Sequence, residues 1–312
     1  ISLAVGGLLS GIAPDSSVVG LGRLISGVGF LFSTLYFTKM ITDWFAGKEI
    51  ATAMSVLVMS WPFGIAIGQI GHEWLAETVD WRCAFLSASG YCAVGGLAIL
   101  SLYRPPEEAV VTKRDQPPIG LSLEELGLTL IAAAAWGLFN AAYVIYLSFS
   151  PLVLEEAGAG AVEAATIISV GSWVMIFSGA ACGQLADRSG RPGIVLTICM
   201  IGAMAALALL AGNGNGLVSS LMFGLIGMAP AGVIMALAGE AMRPDRRAIG
   251  MGIFFTGYYA IMAAGPPIAG WIYDTSGNVF DPIILSIVLF GSVILANGLF
   301  RLAKYKVKMM QA

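Results

Sequence analysis

The chain has 312 residues, of which 58% are hydrophobic and 11% are charged, and its formal net charge is −3. Soluble domains carry roughly a quarter of charged residues, so this composition excludes a soluble globular protein and indicates a chain solvated mainly by lipid. The single histidine and the four cysteines show no metal-ligand spacing, and the chain offers no Ser/His/Asp set for acyl chemistry. We therefore expect no metal site, no cofactor and no enzymatic activity.

Apolar stretches long enough to cross a bilayer recur along the chain. A helix needs about 20 apolar residues to cross the hydrocarbon core, and the sequence offers nine complete spans and, at residues 1–13, the outer part of a tenth. Because the chain begins at Ile1 rather than Met, we expect further sequence before it. The complete spans are predicted at residues 17–38, 50–71, 83–103, 126–149, 164–185, 193–212, 216–239, 249–273 and 282–300.

The basic residues lie on one side of these predicted spans. All of the 16 Lys and Arg residues except Arg23 and Arg82 fall in alternate connections, and the connections on the opposite side carry acids instead. By the positive-inside rule the basic side is cytoplasmic, which predicts an integral protein of the bacterial inner membrane with a cytoplasmic C-terminus. The basic connections are residues 39–49, 104–118, 186–192, 240–247 and 301–308.

Residues 104–120 form the longest polar stretch, RPPEEAVVTKRDQPPIG. Its proline content and mixed charge predict a flexible cytoplasmic linker. It separates a predicted N-terminal helical bundle at 1–103 from a predicted C-terminal bundle at 121–312. Six spans follow the linker and fewer precede it, so if the two halves are duplicates, the first half lacks two whole spans and the start of a third.

The segment GQLADRSGRPG at 183–193 carries the most informative motif. It resembles the signature G-x-L-a-D-r-x-G-r-[RK] of the major facilitator superfamily, which lies in the cytoplasmic loop between spans 8 and 9. Pro192 stands where the family usually has a base. The matching residues are Gly183, Leu185, Asp187, Arg188, Gly190 and Arg191.

Physical roles can be assigned to several of these residues. Gly183 allows tight helix packing, Asp187 can accept hydrogen bonds or face a helix N-terminus, and Arg188 and Arg191 can pair with nearby acids. Making and breaking such contacts would bias inward-open against outward-open states, so we interpret the segment as a gating motif. The alternative is an ordinary basic turn.

The resemblance implies an all-α polytopic membrane protein with the family's architecture of two helical bundles. About ten of its twelve helices would be present, spans 3 to 6 in the N-terminal bundle and spans 7 to 12 in the C-terminal bundle. Within the family, GIFFTGYYAIMAAGPPIAGWIYDTSG at 252–277 resembles cyanate-permease-like members. A transporter of this kind is expected to act as a monomer in the bilayer, with a small-molecule substrate and no nucleic-acid partner.

A second motif, GRLISGVG at 22–29, resembles the family's R-x-x-x-G-x-G pattern in span 4, with Arg23 as its arginine. Arg23 is also the only Asp, Glu, Lys or Arg that falls within a complete predicted span. A charge there costs about 2.5 to 3.5 kcal/mol, so the side chain should face a cavity or a partner. A role in substrate binding or coupling is one interpretation. Snorkelling to the nearby membrane boundary and a structural bond to backbone carbonyls are the others.

The first span after the linker carries Trp136, Asn140 and Tyr143 on one helix face. In the family, span 7 borders the central cavity, so the resemblance implies that these side chains line the solute path. Tyr258 and Tyr259 in span 11 are further candidates. For the aromatic residues alone, core packing is the alternative.

No acidic residue lies deep in a predicted span, so a carboxylate that carries a coupling proton, if there is one, would belong to helices before Ile1, or other chemistry would replace it. A lone buried cation with Asn and Tyr neighbours suits a small anion or carboxylate better than a lipophilic cation. We therefore predict a secondary transporter of such a solute, with a proton or another ion as a candidate coupling partner. A multidrug exporter of the same fold and a membrane receptor that does not translocate are the alternatives.

Overall fold

A computed structural model describes residues 1–45, 50–104, 120–212, 215–227, 230–243 and 246–311 of the chain. Within these ranges every regular element is helical, which confirms the predicted all-α class. The elements are α1 (Ser2–Gly11), α2 (Ser16–Phe45), α3 (Ile50–Thr78), α4 (Trp81–Leu102), α5 (Leu123–Glu156), α6 (Ala161–Ser189), α7 (Pro192–Ala211), α8 (Gly216–Met222), a π-helical turn (Phe223–Gly227), α9 (Ala231–Ala241), α10 (Arg247–Ser276) and α11 (Phe280–Gln311).

The predicted membrane spans correspond to these helices. In the described part of the chain, eight helical segments are long and apolar enough to cross a membrane. They overlap eight of the nine predicted spans, and the remaining one, 50–71, lies within α3. The predicted span 216–239 is not one regular α-helix, because a π-helical turn separates α8 from α9.

The chain divides into two compact units, Ile1–Lys113 (unit 1) and Arg114–Ala312 (unit 2). Unit 1 contains α1 to α4, and unit 2 contains α5 to α11. Residues 105–119, which are most of the predicted linker, lie outside the described residues. The proposed boundaries of the two bundles at 103 and 121 therefore stay a prediction.

Small residues set the contact between α1 and α2 in unit 1. A Cβ on Gly22 would lie 2.7 Å from the Gly6 carbonyl oxygen, and one on Gly29 would lie 2.7 Å from the Leu3 nitrogen. Gly27, the other glycine of the motif at 22–29, has no atom within 4 Å of such a Cβ among the described residues. Close helix packing in lipid relies on small residues. This packing explains why a glycine stands at position 29, but it does not explain the glycine at position 27.

The helix α5 forms the core of unit 2 and begins with a capping box in which Ser122 and Glu125 exchange hydrogen bonds. The Glu125 carboxylate also accepts hydrogen bonds from the Arg243 backbone nitrogen at 3.2 Å and from Arg246 Nη1 at 2.9 Å. One carboxylate therefore ties the start of α5 to the connection between α9 and α10.

A second acid makes a similar tie at the end of α9. Glu240 Oε2 accepts from Arg301 Nη1 at 3.0 Å and from Lys304 Nζ at 2.6 Å, both on α11. Both acids pair with bases of the predicted cytoplasmic connections. The ion pairs of Glu240 join the end of α9 to α11, and the ion pair of Glu125 joins the start of α5 to the start of α10.

The π-helical turn packs directly against α6. A Cβ on Gly224 would overlap the Gly171 carbonyl oxygen and lie 2.8 Å from the Gly171 Cα. Ser220 Oγ accepts a hydrogen bond from the Gly171 nitrogen at 3.0 Å, and Ser178 Oγ donates to the Gly224 carbonyl at 2.6 Å. Two glycines and two serines thus hold two backbones in direct contact.

We expect Gly224→Ala to destabilise the protein by about 1–3 kcal/mol, because the obstructing atoms belong to the Gly171 backbone and cannot rotate away. The measurement is thermal unfolding of the detergent-purified protein. The matched control is Gly239→Ala in α9, whose added Cβ meets no described atom within 4 Å. That change should be neutral or stabilising by about 0.5–1 kcal/mol. Equal melting temperatures for the two variants would contradict the contact.

Candidate functional site

Arg23 lies about two turns inside α2, within the candidate membrane span Ser16–Thr38. Its side chain is exposed, so the expectation of a buried cation is not met among the described residues. The guanidinium carbon lies 5.9 Å from the centroid of the Phe85 ring on α4, within range of a cation–π contact. Among the described residues, no carboxylate forms an ion pair with Arg23. The guanidinium therefore keeps its hydrogen-bonding capacity within the described part of the chain.

Three predicted site residues of unit 2, Trp136, Tyr258 and Tyr259, have neighbouring rings, and Asn140 lies one helical turn beyond Trp136 on α5 and bonds to its backbone. We call these four residues the Trp136 cluster. The Trp136 and Tyr258 rings lie 6.1 Å apart, and the Tyr258 and Tyr259 rings lie 4.4 Å apart. Gly137 permits this approach, because a Cβ there would lie 3.2 Å from the Tyr258 carbonyl oxygen. The cluster therefore forms at the contact between α5 and α10.

Asn140 is the polar member of the cluster and is 1% exposed. Its Nδ2 donates a hydrogen bond to the Trp136 carbonyl oxygen at 2.8 Å. Its Oδ1 is buried without a hydrogen-bond partner among the described residues. A buried acceptor of this kind is uncommon, because most buried polar atoms in proteins are paired.

Tyr143 makes its contacts elsewhere, although it lies on the same predicted helix face. Its hydroxyl lies 3.4 Å from Ser172 Oγ on α6, and its ring stacks 6.3 Å from Phe223 in the π-helical turn. Tyr143 is three residues beyond Asn140 on a helix that turns about 100° per residue, so the two side chains diverge by about 60°. That rotation directs Tyr143 to the interior of unit 2.

Tyr146 lies beside Tyr143 and extends the same interior group. Its ring centroid is 3.9 Å from that of Phe223, and its hydroxyl donates to Ser220 Oγ at 3.5 Å. The sequence did not single out Ser172, Ser220 or Phe223. Serines and phenylalanines are frequent in membrane helices, so no sequence signal distinguished these from generic packing residues.

The predicted gating motif, residues 183–191, comprises the last two turns of α6 and the turn into α7. Gly190 has φ 62° and caps α6 in the left-handed conformation, and Pro192 is the first residue of α7. The backbone N–H of the first residue of a helix has no partner within the helix, so proline, which lacks an N–H, is favoured at this position. This explains why Pro192 replaces the base of the family signature without disturbing the turn.

Two expectations for the motif are not met in the described residues. A Cβ on Gly183 would meet no atom within 4 Å, so this glycine does not sit at a close helix contact. Asp187, Arg188 and Arg191 are exposed, and in the described ranges neither arginine pairs with an acid. Asp187 and Arg188 lie in the last turn of α6 and Arg191 is the N-cap of α7, where all three side chains are exposed, while Glu125 and Glu240 bind other bases.

Residues 1–254 match the family model described as Major Facilitator Superfamily. The chain belongs to the major facilitator superfamily. It is therefore a secondary transporter and not an enzyme, as its composition and motifs predicted. Curated relatives agree with this membership at low identity.

The "Inner membrane transport protein YdhP" of Escherichia coli (strain K12) is 26% identical to this facilitator, and the match covers 91% of the chain and 73% of the relative. The "Hexuronate transporter" of Bacillus subtilis (strain 168) is 23% identical, over 85% of the chain and 68% of the relative. Both names describe transport proteins, and the first also names the inner membrane, which supports an integral protein of that membrane.

Solved structures show the same fold. A variant of the E. coli fucose:proton symporter FucP aligns with a TM-score of 0.62 at 16% identity, covering 96% of this facilitator and 81% of the symporter. An inward-facing bacterial homolog of the human lysosomal transporter Spinster aligns with a TM-score of 0.64 at 15% identity, covering 97% and 81%. At such identities the likeness concerns the fold alone.

We expect Gly190→Ala to lower the free energy of unfolding by about 1–2 kcal/mol, because a left-handed φ crowds a side chain against its own backbone. Chemical unfolding in detergent measures the change. Gly183→Ala, seven residues earlier in the same motif, should be neutral or stabilising, because its Cβ enters open space inside α6. If both variants unfold alike, the left-handed cap is not the reason for Gly190.

Proposed function

We propose that this facilitator carries a small anion or carboxylate across the membrane by alternating access, and that Arg23 binds its negative charge. The observation that carries the proposal is an arginine within a membrane span that contacts the Phe85 ring but pairs with no carboxylate in the described residues. An isolated charge in a span is costly and marks a functional residue. A carboxylate solute would supply the charge-assisted, bidentate bonds that the guanidinium lacks.

The names of two similar proteins support this proposal. One relative is named a hexuronate transporter, and a hexuronate is a carboxylate anion at neutral pH. One structural neighbour is named a fucose:proton symporter, and we extend its coupling to this chain as a proposed proton or ion partner. A lipophilic cation, the usual cargo of a drug exporter, would be repelled by Arg23.

We propose that the Trp136 cluster and Tyr143 form further contacts with the solute, and that the segment 183–191 gates the cycle. We further propose that the basic connections, including the C-terminus, face the cytoplasm and that the protein acts as a monomer. The support for the orientation is the alternation of basic and acidic connections along the chain.

We expect Arg23→Gln to reduce uptake of small carboxylates into proteoliposomes by about 10-fold to 100-fold, because a hydrogen-bonded charge pair with the solute is lost. The assay uses a panel of labelled carboxylates and, in parallel, a lipophilic cationic dye. Arg82→Gln is the matched control. That arginine lies at the start of α4, 3.8 Å from Asp80 and over the Trp81 ring, and its loss should leave uptake unchanged.

Two results would contradict this assignment. Wild-type uptake by the folded Arg23→Gln variant would show that the arginine only reaches toward the membrane boundary. Transport of the dye without transport of any carboxylate would favour the drug exporter.

We expect Asp187→Asn to slow uptake several-fold while solute affinity changes by less than about twofold, because a gating residue biases conformations rather than contacting the solute. Equilibrium binding and initial uptake rates separate the two effects. Asp274→Asn, which removes an exposed carboxylate near the other end of a span in α10, is the control and should alter neither. A selective loss of binding by Asp187→Asn would refute the gating role.

A further inference from the structure

Two cysteines of unit 2 lie side by side across the contact between α6 and α7. The Sγ atoms of Cys182 on α6 and Cys199 on α7 are 4.0 Å apart, and the two residues are only 6% and 7% exposed. The other two cysteines, Cys83 and Cys92, are half-buried on α4. Cys182 and Cys199 are therefore a pair of neighbouring thiols whose chemistry the proposed function does not use.

The two thiols lie at the same level of the hairpin formed by α6 and α7. Cys182 is seven residues before Ser189, the last residue of α6, and Cys199 is seven residues after Pro192, the first residue of α7. With a rise of about 1.5 Å per residue, each lies about 10 Å from the turn. A covalent bond between them would close a ring that contains the whole segment 183–191.

A disulfide is the chemistry that this pair supports best. A structural zinc site usually takes four protein ligands, but in the ranges that the structure describes no three His, Cys, Asp or Glu side chains form a group that could hold a metal ion. A disulfide needs only the two sulfurs, which must approach from 4.0 Å to about 2.05 Å. The bond therefore requires only a local movement of about 2 Å.

We propose that Cys182 and Cys199 are a site of oxidative modification, where a hydroperoxide converts the two thiols into a disulfide that fixes α6 to α7. One thiol, as its thiolate, attacks the O–O bond of hydrogen peroxide, becomes a sulfenic acid and releases water. The second sulfur then displaces the oxygen of the sulfenic acid, which leaves as a second water, and the S–S bond forms. The two thiols lose two electrons and two protons, and one peroxide is reduced to two waters.

Hydrogen peroxide suits this site because it is small and uncharged. The burial of both thiols hinders bulky reagents, and the reactivity of a cysteine depends on access as well as on thiolate formation. In the proposed orientation the turn between α6 and α7 faces the cytoplasm, where cellular thiols keep cysteines reduced and disulfides are transient. The bond is therefore expected during exposure to an oxidant and not in the resting protein.

The disulfide has a consequence for transport that rests on the proposed function. A bond about 10 Å from the turn prevents α6 and α7 from sliding past each other beside the segment 183–191, which we propose gates the cycle. Oxidation should therefore slow uptake, because the conformations between which this segment switches become harder to reach.

The test treats the purified, reduced chain with hydrogen peroxide and analyses its peptides by mass spectrometry without reductant. A peptide pair joined through Cys182 and Cys199, lighter than the two free peptides by two hydrogen atoms, is the expected product. The double variant Cys83→Ala/Cys92→Ala removes the other thiols and should give the same linked pair. Absence of the link in both proteins, in samples where the peroxide has oxidised methionines, overturns the proposal.

The matched control moves one thiol by a single residue. In the double variant Cys199→Ala/Ile198→Cys the new thiol is directed about 100° away from the direction of Cys199, at a position where the isoleucine is 59% exposed. We expect the native pair to cross-link at least about tenfold faster, because the fold already holds its two sulfurs together. Equal rates would show that the thiols meet only through general motion of the helices, and would overturn the assignment of this pair as a site.

Uptake into proteoliposomes is then compared between reduced and oxidised protein, with the same panel of carboxylates and the dye. We expect oxidation to slow uptake by the Cys83→Ala/Cys92→Ala protein several-fold, because the cross-link restrains α6 and α7. Adding Cys199→Ala to this protein removes the bond and should leave uptake unchanged by oxidation.

The outcomes separate this inference from the proposed function. Equal slowing with and without Cys199 would assign the loss to oxidation elsewhere and overturn the effect on gating. Unchanged uptake by the cross-linked protein would also overturn that effect, while the linked peptides would still establish the disulfide. Failure of the reduced protein to carry any member of the panel would contradict the proposed function instead, since the disulfide is decided by mass alone.

Discussion

The hydrocarbon core of a bilayer provides no water to satisfy polar groups, and this constraint shapes the whole chain. Each backbone N–H and C=O in a span must find a partner within the protein, which restricts the spans to helices. Hydroxyl side chains follow the same requirement and bond back to their own helix, as Thr34 does to Phe30 and Ser292 to Val288. Hydroxyl side chains inside a span therefore often form hydrogen bonds within their own helix.

Other hydroxyls bond across helix contacts and so contribute to tertiary structure. In unit 1, Ser89 on α4 donates to the Ala4 carbonyl on α1 at 2.6 Å. In unit 2, Ser286 on α11 donates to the Ala142 carbonyl on α5 at 2.9 Å. Such bonds require close backbones, so they occur with small residues at the helix contacts. Hydrogen bonding and tight packing are thus two aspects of one arrangement.

Charged groups concentrate where water returns, at the helix ends. Glu125 and Glu240 bind Arg246, Arg301 and Lys304 at the ends of α5, α9, α10 and α11. Against this background, several polar groups are not satisfied within the described residues, and Arg23 and Asn140 are two of them. Arg23 has a charge without a counter-ion, and Asn140 has a buried acceptor without a donor. Groups that lack a counter-ion or a hydrogen-bond partner are available to bind a transported solute.

The sequence alone predicted the helical class, the positions of the spans and the family, because these depend on hydrophobicity along one segment and on local motifs. It also placed a connection at 186–192 and singled out Arg23, since a break between apolar spans and a charge in an apolar run are local properties. Only the tertiary structure decided which side chains meet. It brought Trp136 to Tyr258 but sent Tyr143 to Ser172, and it placed Gly224 rather than Gly183 at a backbone contact. Helical periodicity gives the direction of a side chain from its own axis, whereas its partner depends on the register and rotation of a neighbouring helix, which no single segment encodes.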